Sequence, residues 1–446
     1  MNADRTITQT IASFVTKWHW EDVPDRVQME AKRSLVNCLA NALAGAADHT
    51  AACYRDVALP FSGPSQAALI GQKQRVDILT ASFLNGISAN VLDFDDTHFP
   101  TVMHGSAPLA PPLFALAEMK HLSGQALLLA FVLGFEIQSR IGNAVATWHY
   151  SHGWHSTATC GVFGAAAGAA RLLQLDAERA GWALAAAAGS AAGLIENLGQ
   201  RTKCAQVGNA ARNGLAAVLY AQGGASGPAR PIEGQFGFAR VMGHDADLSA
   251  ITQDLGSNWE LLKNEYKAYP CAIVIAAAID ACIELRQHIK PGDVQQIVLR
   301  GKPLVRERTN RPAPQTKGEA AVSAQHTLGV AMLLGRAGLA EYEMSCIEDP
   351  AVRSMGAKVS FIDDDSLPLN ACSVEIISNK GQAQRLDVIN ARGSAGRPLT
   401  NDELEEKFRQ MIQPAQPWCE HRQILDRIWT LEYSNDITEL TKLLTP

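Results

Sequence analysis

The stretch Thr157–Leu175, TATCGVFGAAAGAARLLQL, decides the fold: it has the length and period of a helix and is built almost wholly from alanine, glycine and other small or apolar residues. Small side chains on facing helices let backbones approach closely, so a helix of this kind belongs in the middle of a tightly packed bundle. Working outward, the same period returns in AERAGWALAAAAGSAAGLIE (Ala177–Glu196), GQALLLAFVLGFEIQSRIGNAVA (Gly124–Ala146) and LAPPLFALAEMKH (Leu109–His121). It also runs through VPDRVQMEAKRSLVNCLANALAG (Val23–Gly45), where Pro24 marks a start and Gly45 lies near the end. From Thr6 to about Gln222 the chain therefore reads as helices.

After about Ser257 short β-like runs appear, VQQIVLRG, AKVSFI, CSVEIIS and RLDVINA, among the helical patterns AIVIAAAIDACIELRQH and EAAVSAQHTLGVAMLLGRAG. The fold expected is mostly α: a large all-helical domain (1–260), a smaller α+β lid domain (261–399), and C-terminal helices (400–446) that return to the helical domain. Two domains also suit a chain of 446 residues, since a single core stops growing well before that length.

Composition removes several function classes. The formal charge of −6 is spread along the chain without a basic cluster, which argues against a nucleic-acid partner. The longest small apolar run, GWALAAAAGSAAGLI, stops at Glu196, short of the ~20 residues that a bilayer needs, so no membrane partner is expected. The N-terminus lacks the pattern of a secretory signal, and the nine cysteines include no CxxC pair; a cytoplasmic location with reduced thiols is expected.

Polar chemistry is concentrated in a few segments. In DFDDTHFPTVMHGS (Asp93–Ser106) three carboxylates and two histidines fall at the end of the helical pattern ASFLNGISANVLDFDD, where the helix dipole disfavours acids and some partner must hold them. A metal site, a polar turn and an acid/base site are all open on residue types alone, although neither HxxxH nor HExxH spacing is present. WHYSHGWHSTATCG places His149, His152 and His155 three apart: the first two read as solvent-facing, while His155 sits before a small-residue helix whose amides could receive a carboxylate. Arg201 and Lys203 stand at the start of another Gly/Ala helix, where cations do not help the helix but do fit an anionic ligand. Lys267, in NEYKAYPCAIV, precedes Tyr269 and an apolar helix, a setting for a desolvated base or a carboxylate partner. Neither GxxxxGK[ST], nor GxGxxG after a strand, nor GxSxG occurs, which argues against nucleotide cofactors and an α/β-hydrolase. What remains suits proton abstraction next to a carboxylate, with cations holding the substrate's negative groups.

Four spaced motifs, LDFDDTH…HGS, GWHSTATCGVFGAAAGAARLLQL, K-x-x-Q-x-G-N-A-A-x-x-G (Lys203–Gly214) and K-x-Y-P-C (Lys267–Cys271), resemble the MmgE/PrpD family over nearly the whole chain. The resemblance implies a homodimer that acts on a small polycarboxylate without metal or other cofactor, with its site in the cleft between a helical domain and a lid. Position by position it implies Lys203, Lys267, His104 and His155 as the pool of bases and carboxylate clamps. Asp93, Thr97, Arg201, Gln206, Tyr269 and His326 are implied as substrate-binding groups, while Asp95, Asp96 and His98 are left as capping, solvated or dimer-facing. Activities in the family include dehydration of 2-methylcitrate, decarboxylation of cis-aconitate and epimerisation of iminodisuccinate. Gln206 stands where the family commonly has histidine, Ala276 likewise, and His326 where tyrosine is usual. These departures remove acid/base groups from places where the lyases tend to have them, so the pattern implies an iminodisuccinate-type epimerase, with a lyase as the alternative and a non-catalytic polycarboxylate binder as a further one.

Overall fold

The computed structural model describes residues 5–446 and divides into two compact units, one running to Asn264 and resuming over Asn401–Pro446, the other Glu265–Thr400. The chain is mostly α-helical with a smaller α+β part. Among the described residues no helix is long and apolar enough to cross a membrane.

In the first unit the helix Ser156–Leu172 is buried at every position except Arg171, and it packs between Gly124–Ser151 and Thr202–Gln222. Its glycines and alanines, and those of its neighbours, are what permit this. A Cβ on Gly214 would lie 2.7 Å from the Val162 carbonyl oxygen, and one on Gly208 only 2.4 Å from the Phe83 carbonyl oxygen of the helix Ile78–Asn90. Helix starts are fixed by side-chain caps: Asp77 accepts from the Leu79 and Thr80 amides, Ser123 from Ala126 and Asp176 from Arg179. Gly208→Ala is therefore expected to lower stability by roughly 1–3 kcal/mol, because backbone cannot yield as a side chain can. Gly181→Ala, mid-helix with nothing within 4 Å of the new methyl, should raise it by about 0.5–1 kcal/mol. Thermal unfolding of the two variants beside the parent checks both signs.

Two local features differ from the sequence reading. The helix that reads as running into the acids ends at Asn90, because the chain turns through Asp93 in the left-handed region at φ 51°. A short antiparallel ladder, Ala67–Ala68 with Arg75–Val76, interrupts what reads as continuous helix.

The second unit holds a four-stranded sheet in the order Val359–Asp363, Val294–Gly301, Cys372–Ser378, Ala383–Val388. The first pair is parallel and the other two are antiparallel. Helices Ala276–Leu285 and Ala324–Leu334 pack on the sheet, and Ile297, Leu299, Val374 and Ile376 meet them in one buried cluster. The period of two along these strands gives each an inward apolar row.

Candidate active site

Asp93, Asp95, Asp96, Thr97, His98 and His104 lie on one loop of the first unit, and its two ends are tied together. Asp96 accepts hydrogen bonds from the Ser106 hydroxyl, from the Ser106 amide at 3.2 Å and from Asn264 Nδ2 at 2.6 Å. Burial pushes the Asp96 carboxyl up from its ordinary value, although these donors pull the other way. His98 is fully buried, with Nδ1 2.8 Å from Thr101 Oγ1 and Nε2 3.1 Å from Glu260, and burial lowers its pKa. Asp95, Asp96 and His98 are thus neither solvated nor surface-facing; the runs of polar residues around them hid a buried framework.

Within that framework a compact charged cluster forms. Lys203, in the first turn of Thr202–Gln222, donates from Nζ to Asp93 Oδ1 at 2.6 Å. Burial acts to lower the Lys203 pKa, but Asp93 and then Asp95 outweigh it and the net direction is upward, so the ammonium stays charged. His104 lies between the two acids: Nδ1 is 3.0 Å from Asp95 Oδ1 and 3.1 Å from the Asp96 carbonyl oxygen, and Nε2 is 3.5 Å from Asp93 Oδ1. The Asp96 carbonyl accepts from Nδ1, which assigns the proton to that nitrogen, and the charge of the Asp95 carboxylate beside it favours the same; Nε2 is left to take or give a proton. Asp95 is itself oriented by Asn90 Nδ2 at 2.8 Å, and the His104 amide donates to Thr157 Oγ1 at 3.0 Å.

His155 occupies the N-cap of Ser156–Leu172, and its amide donates to the Gly193 carbonyl at 3.0 Å. Its ring is buried, and Nδ1 has no hydrogen-bond partner among the described residues; Thr97 Oγ1 is in the same condition. Buried polar atoms left without partners are uncommon in folded proteins and mark a place where a ligand or water supplies the missing bond. Burial, then the neighbouring Lys203 and His104, push the His155 pKa down to about 3. The imidazole is therefore neutral near pH 7 and works as a hydrogen-bonding or proton-accepting group, not as a cation for a carboxylate. Its 15N imidazole shifts should stay those of a neutral ring from pH 8 down to about pH 4.5. Half-titration near the ordinary histidine value in an NMR pH series would contradict this.

Asp93, Asp95 and His104 also present three ligand atoms within 4.8 Å of one another, a spacing a metal ion could use. The ammonium of Lys203 already provides positive charge at Asp93, so a cation there would meet both a competitor and its repulsion.

Of the other expected residues, Arg201 and Gln206 stand in the first unit and Lys267, Tyr269 and His326 in the second. Arg201 is exposed at the start of its helix. Gln206 spends its amide on the backbone of Leu194, accepting from its N–H and donating to its carbonyl at 3.2 Å. Lys267, Tyr269 and His326 are buried. The Tyr269 hydroxyl donates to Asp280 at 2.5 Å, and burial raises its pKa. His326 Nε2 lies 2.9 Å from the Glu341 carbonyl oxygen, with its ring against Tyr342. His149, read as solvent-facing, is instead fully buried between the Met242 carbonyl, 2.7 Å from Nδ1, and Thr159 Oγ1, 2.6 Å from Nε2. The residue that sequence reasoning undervalued is Asp95; its only signal was a second carboxylate two positions from Asp93.

The chain is 28% identical to the human "Cis-aconitate decarboxylase", over 99% of this chain and 95% of that protein. It is 26% identical to the protein of the same name from Aspergillus terreus, over 99% and 96%, and to "Cis-aconitate decarboxylase-like protein oryM" from Aspergillus oryzae, over 98% and 97%. Residues 9–251 match the MmgE/PrpD N-terminal domain and residues 269–431 the MmgE/PrpD C-terminal domain, so the chain belongs to the MmgE/PrpD family.

Proposed function

We propose that the protein is an enzyme that moves a proton to or from carbon in a small polycarboxylate, and that its reaction is the decarboxylation of an unsaturated tricarboxylate of the cis-aconitate kind. The observation that carries the proton transfer is His104 held between Asp95 and Asp93, beside a charged Lys203 and a neutral His155. Relatives bearing the decarboxylase name along nearly their whole length support the choice of reaction. In such a reaction the C–C bond to a carboxylate breaks and its electron pair forms a new C=C bond. The pair of the former double bond takes a proton at the far carbon, and CO2 leaves. Lys203 binds a remaining carboxylate, Thr97 Oγ1 donates to the substrate, and His104 or His155 delivers the proton. The residues named in these roles all belong to the first unit.

A second reading, epimerisation of an iminodisuccinate-like acid, is favoured by Gln206, whose amide is committed to Leu194 and supplies no acid/base group. Incubation with cis-aconitate, 2-methylcitrate and iminodisuccinate stereoisomers, followed by proton NMR and CO2 release, separates the two. New alkene signals with CO2 support decarboxylation; inverted stereochemistry without CO2 replaces it by epimerisation. We further propose a homodimer, supported by the large apolar side chains Phe61 and Phe236 lying exposed, and a reducing compartment such as the cytoplasm, supported by nine free cysteines. Light scattering on the purified protein tests the dimer.

A further inference from the structure

Phe94 separates Asp93 from Asp95, and its outer side is gripped by a residue more than 300 positions away in sequence. Lys407, on the C-terminal helix Asn401–Ala415, donates from Nζ to the Phe94 carbonyl oxygen at 2.7 Å and to Asn37 Oδ1 at 2.8 Å. The same ammonium lies 3.8 Å from the centroid of the Phe94 ring. Asn41 Nδ2 adds a second donor to that carbonyl at 3.2 Å and is itself fixed by the Asn37 carbonyl at 2.8 Å. Lys407 is only 8% exposed, so its ammonium has given up most of its water, a loss that hydrogen bonds and an aromatic face offset only if they are held in place. Phe94 is buried as well. Holding one peptide by its carbonyl and its ring leaves the backbone on either side little freedom. On one side Asp93 takes the left-handed conformation and turns its carboxylate to Lys203; on the other Asp95 turns its carboxylate to His104 Nδ1.

We propose that Lys407 is a positioning residue for the acid–base cluster, acting through Phe94 to set the directions of Asp93 and Asp95 and so the proton on His104. Its effect on turnover rests on the proton-transfer reading above; its effect on His104 does not. Lys407→Met keeps the methylene stem while removing the charge and the bonds donated to Phe94 and Asn37. In the 15N-histidine-labelled full-length protein, this variant is expected to keep the parent's circular dichroism while shifting the His104 imidazole resonances. With a substrate in hand, kcat should fall roughly ten- to a hundredfold, as when supporting groups behind an active residue are removed, while KM stays within about twofold. Loss of packing alone would not move His104 or split kcat from KM in this way. A folded Lys407→Met whose His104 resonances match the parent overturns the proposal. If Lys407→Met does not fold, Asn41→Ala removes the second donor to the same carbonyl. It must shift His104 in a smaller but measurable way; an unchanged spectrum overturns the proposal equally. A parent protein that turns over no polycarboxylate contradicts the proposed function alone, because the His104 spectrum still decides the role of Lys407.

Discussion

Lys203→Met is expected to lower kcat/KM for the polycarboxylate by about a hundred- to a thousandfold, the range seen when one fixed donor to developing charge is removed. The ammonium is desolvated and already oriented by Asp93 at 2.6 Å, so a substrate carboxylate meets a preorganised cation and not a flexible, hydrated one. Its removal has a second consequence. Asp93 and Asp95 then stand close together without the Lys203 ammonium, and their mutual repulsion strains the loop. Stability should fall by less than the roughly 3–5 kcal/mol typical of a fully buried broken pair, because the Asp93 side chain keeps 26% of its exposure and water screens part of the loss. Steady-state kinetics beside thermal unfolding separates the two effects. Activity within about threefold of the parent would exclude Lys203 from the site.

Asp95→Asn carries the next largest effect. The Asp95 carboxylate 3.0 Å from His104 Nδ1 favours a proton on that nitrogen by its charge, and an amide can present its NH2 there and turn the tautomer over. Loss of a correctly placed general acid or base is worth about 10²- to 10⁴-fold, and a wrong tautomer removes the group as effectively as a substitution. We expect kcat to fall by about a hundredfold or more with KM little changed, and Lys203 to keep its pairing with Asp93. His152→Gln is the control. That ring is exposed and stacks on Trp148 at 4.1 Å, and its loss should leave kcat within about twofold.

Much of this arrangement was legible in the sequence because it rests on periodic signals. The Ala/Gly run from Thr157 announced a central helix, and its burial at all but one position is the physical reason small residues predominate there. His155 and Lys203 stood out for a related reason, because charged or titratable groups at the edges of small-residue helices need partners, and His104 stood out as one of two histidines close to three carboxylates. What the sequence could not yield were the partners themselves. Asp95 reaches His104 only because the helix stops at Asn90 and Asp93 turns left-handed, a change of direction set by contacts with Asn41 and Lys407, which are far away in sequence. His149 misled for the opposite reason. Its three-residue spacing from His152 looks like one exposed face, yet one ring finds Met242 and Thr159 inside while the other stays in water. Gln206 reads as a lost acid/base group, and the structure gives its amide another task, clasping both polar groups of one backbone residue, Leu194.

The most direct measurement is solvent-deuterium incorporation, followed by proton NMR and mass spectrometry, when the parent protein and His104→Gln are incubated in deuterated water with cis-aconitate and with iminodisuccinate. Proton transfer at carbon through the His104 cluster predicts one deuterium on carbon in the material recovered from the parent, with CO2 released from cis-aconitate. The His104→Gln variant should incorporate it at least about a hundredfold more slowly. No carbon-bound deuterium with either acid, or incorporation at the same rate in the parent and His104→Gln, would contradict it.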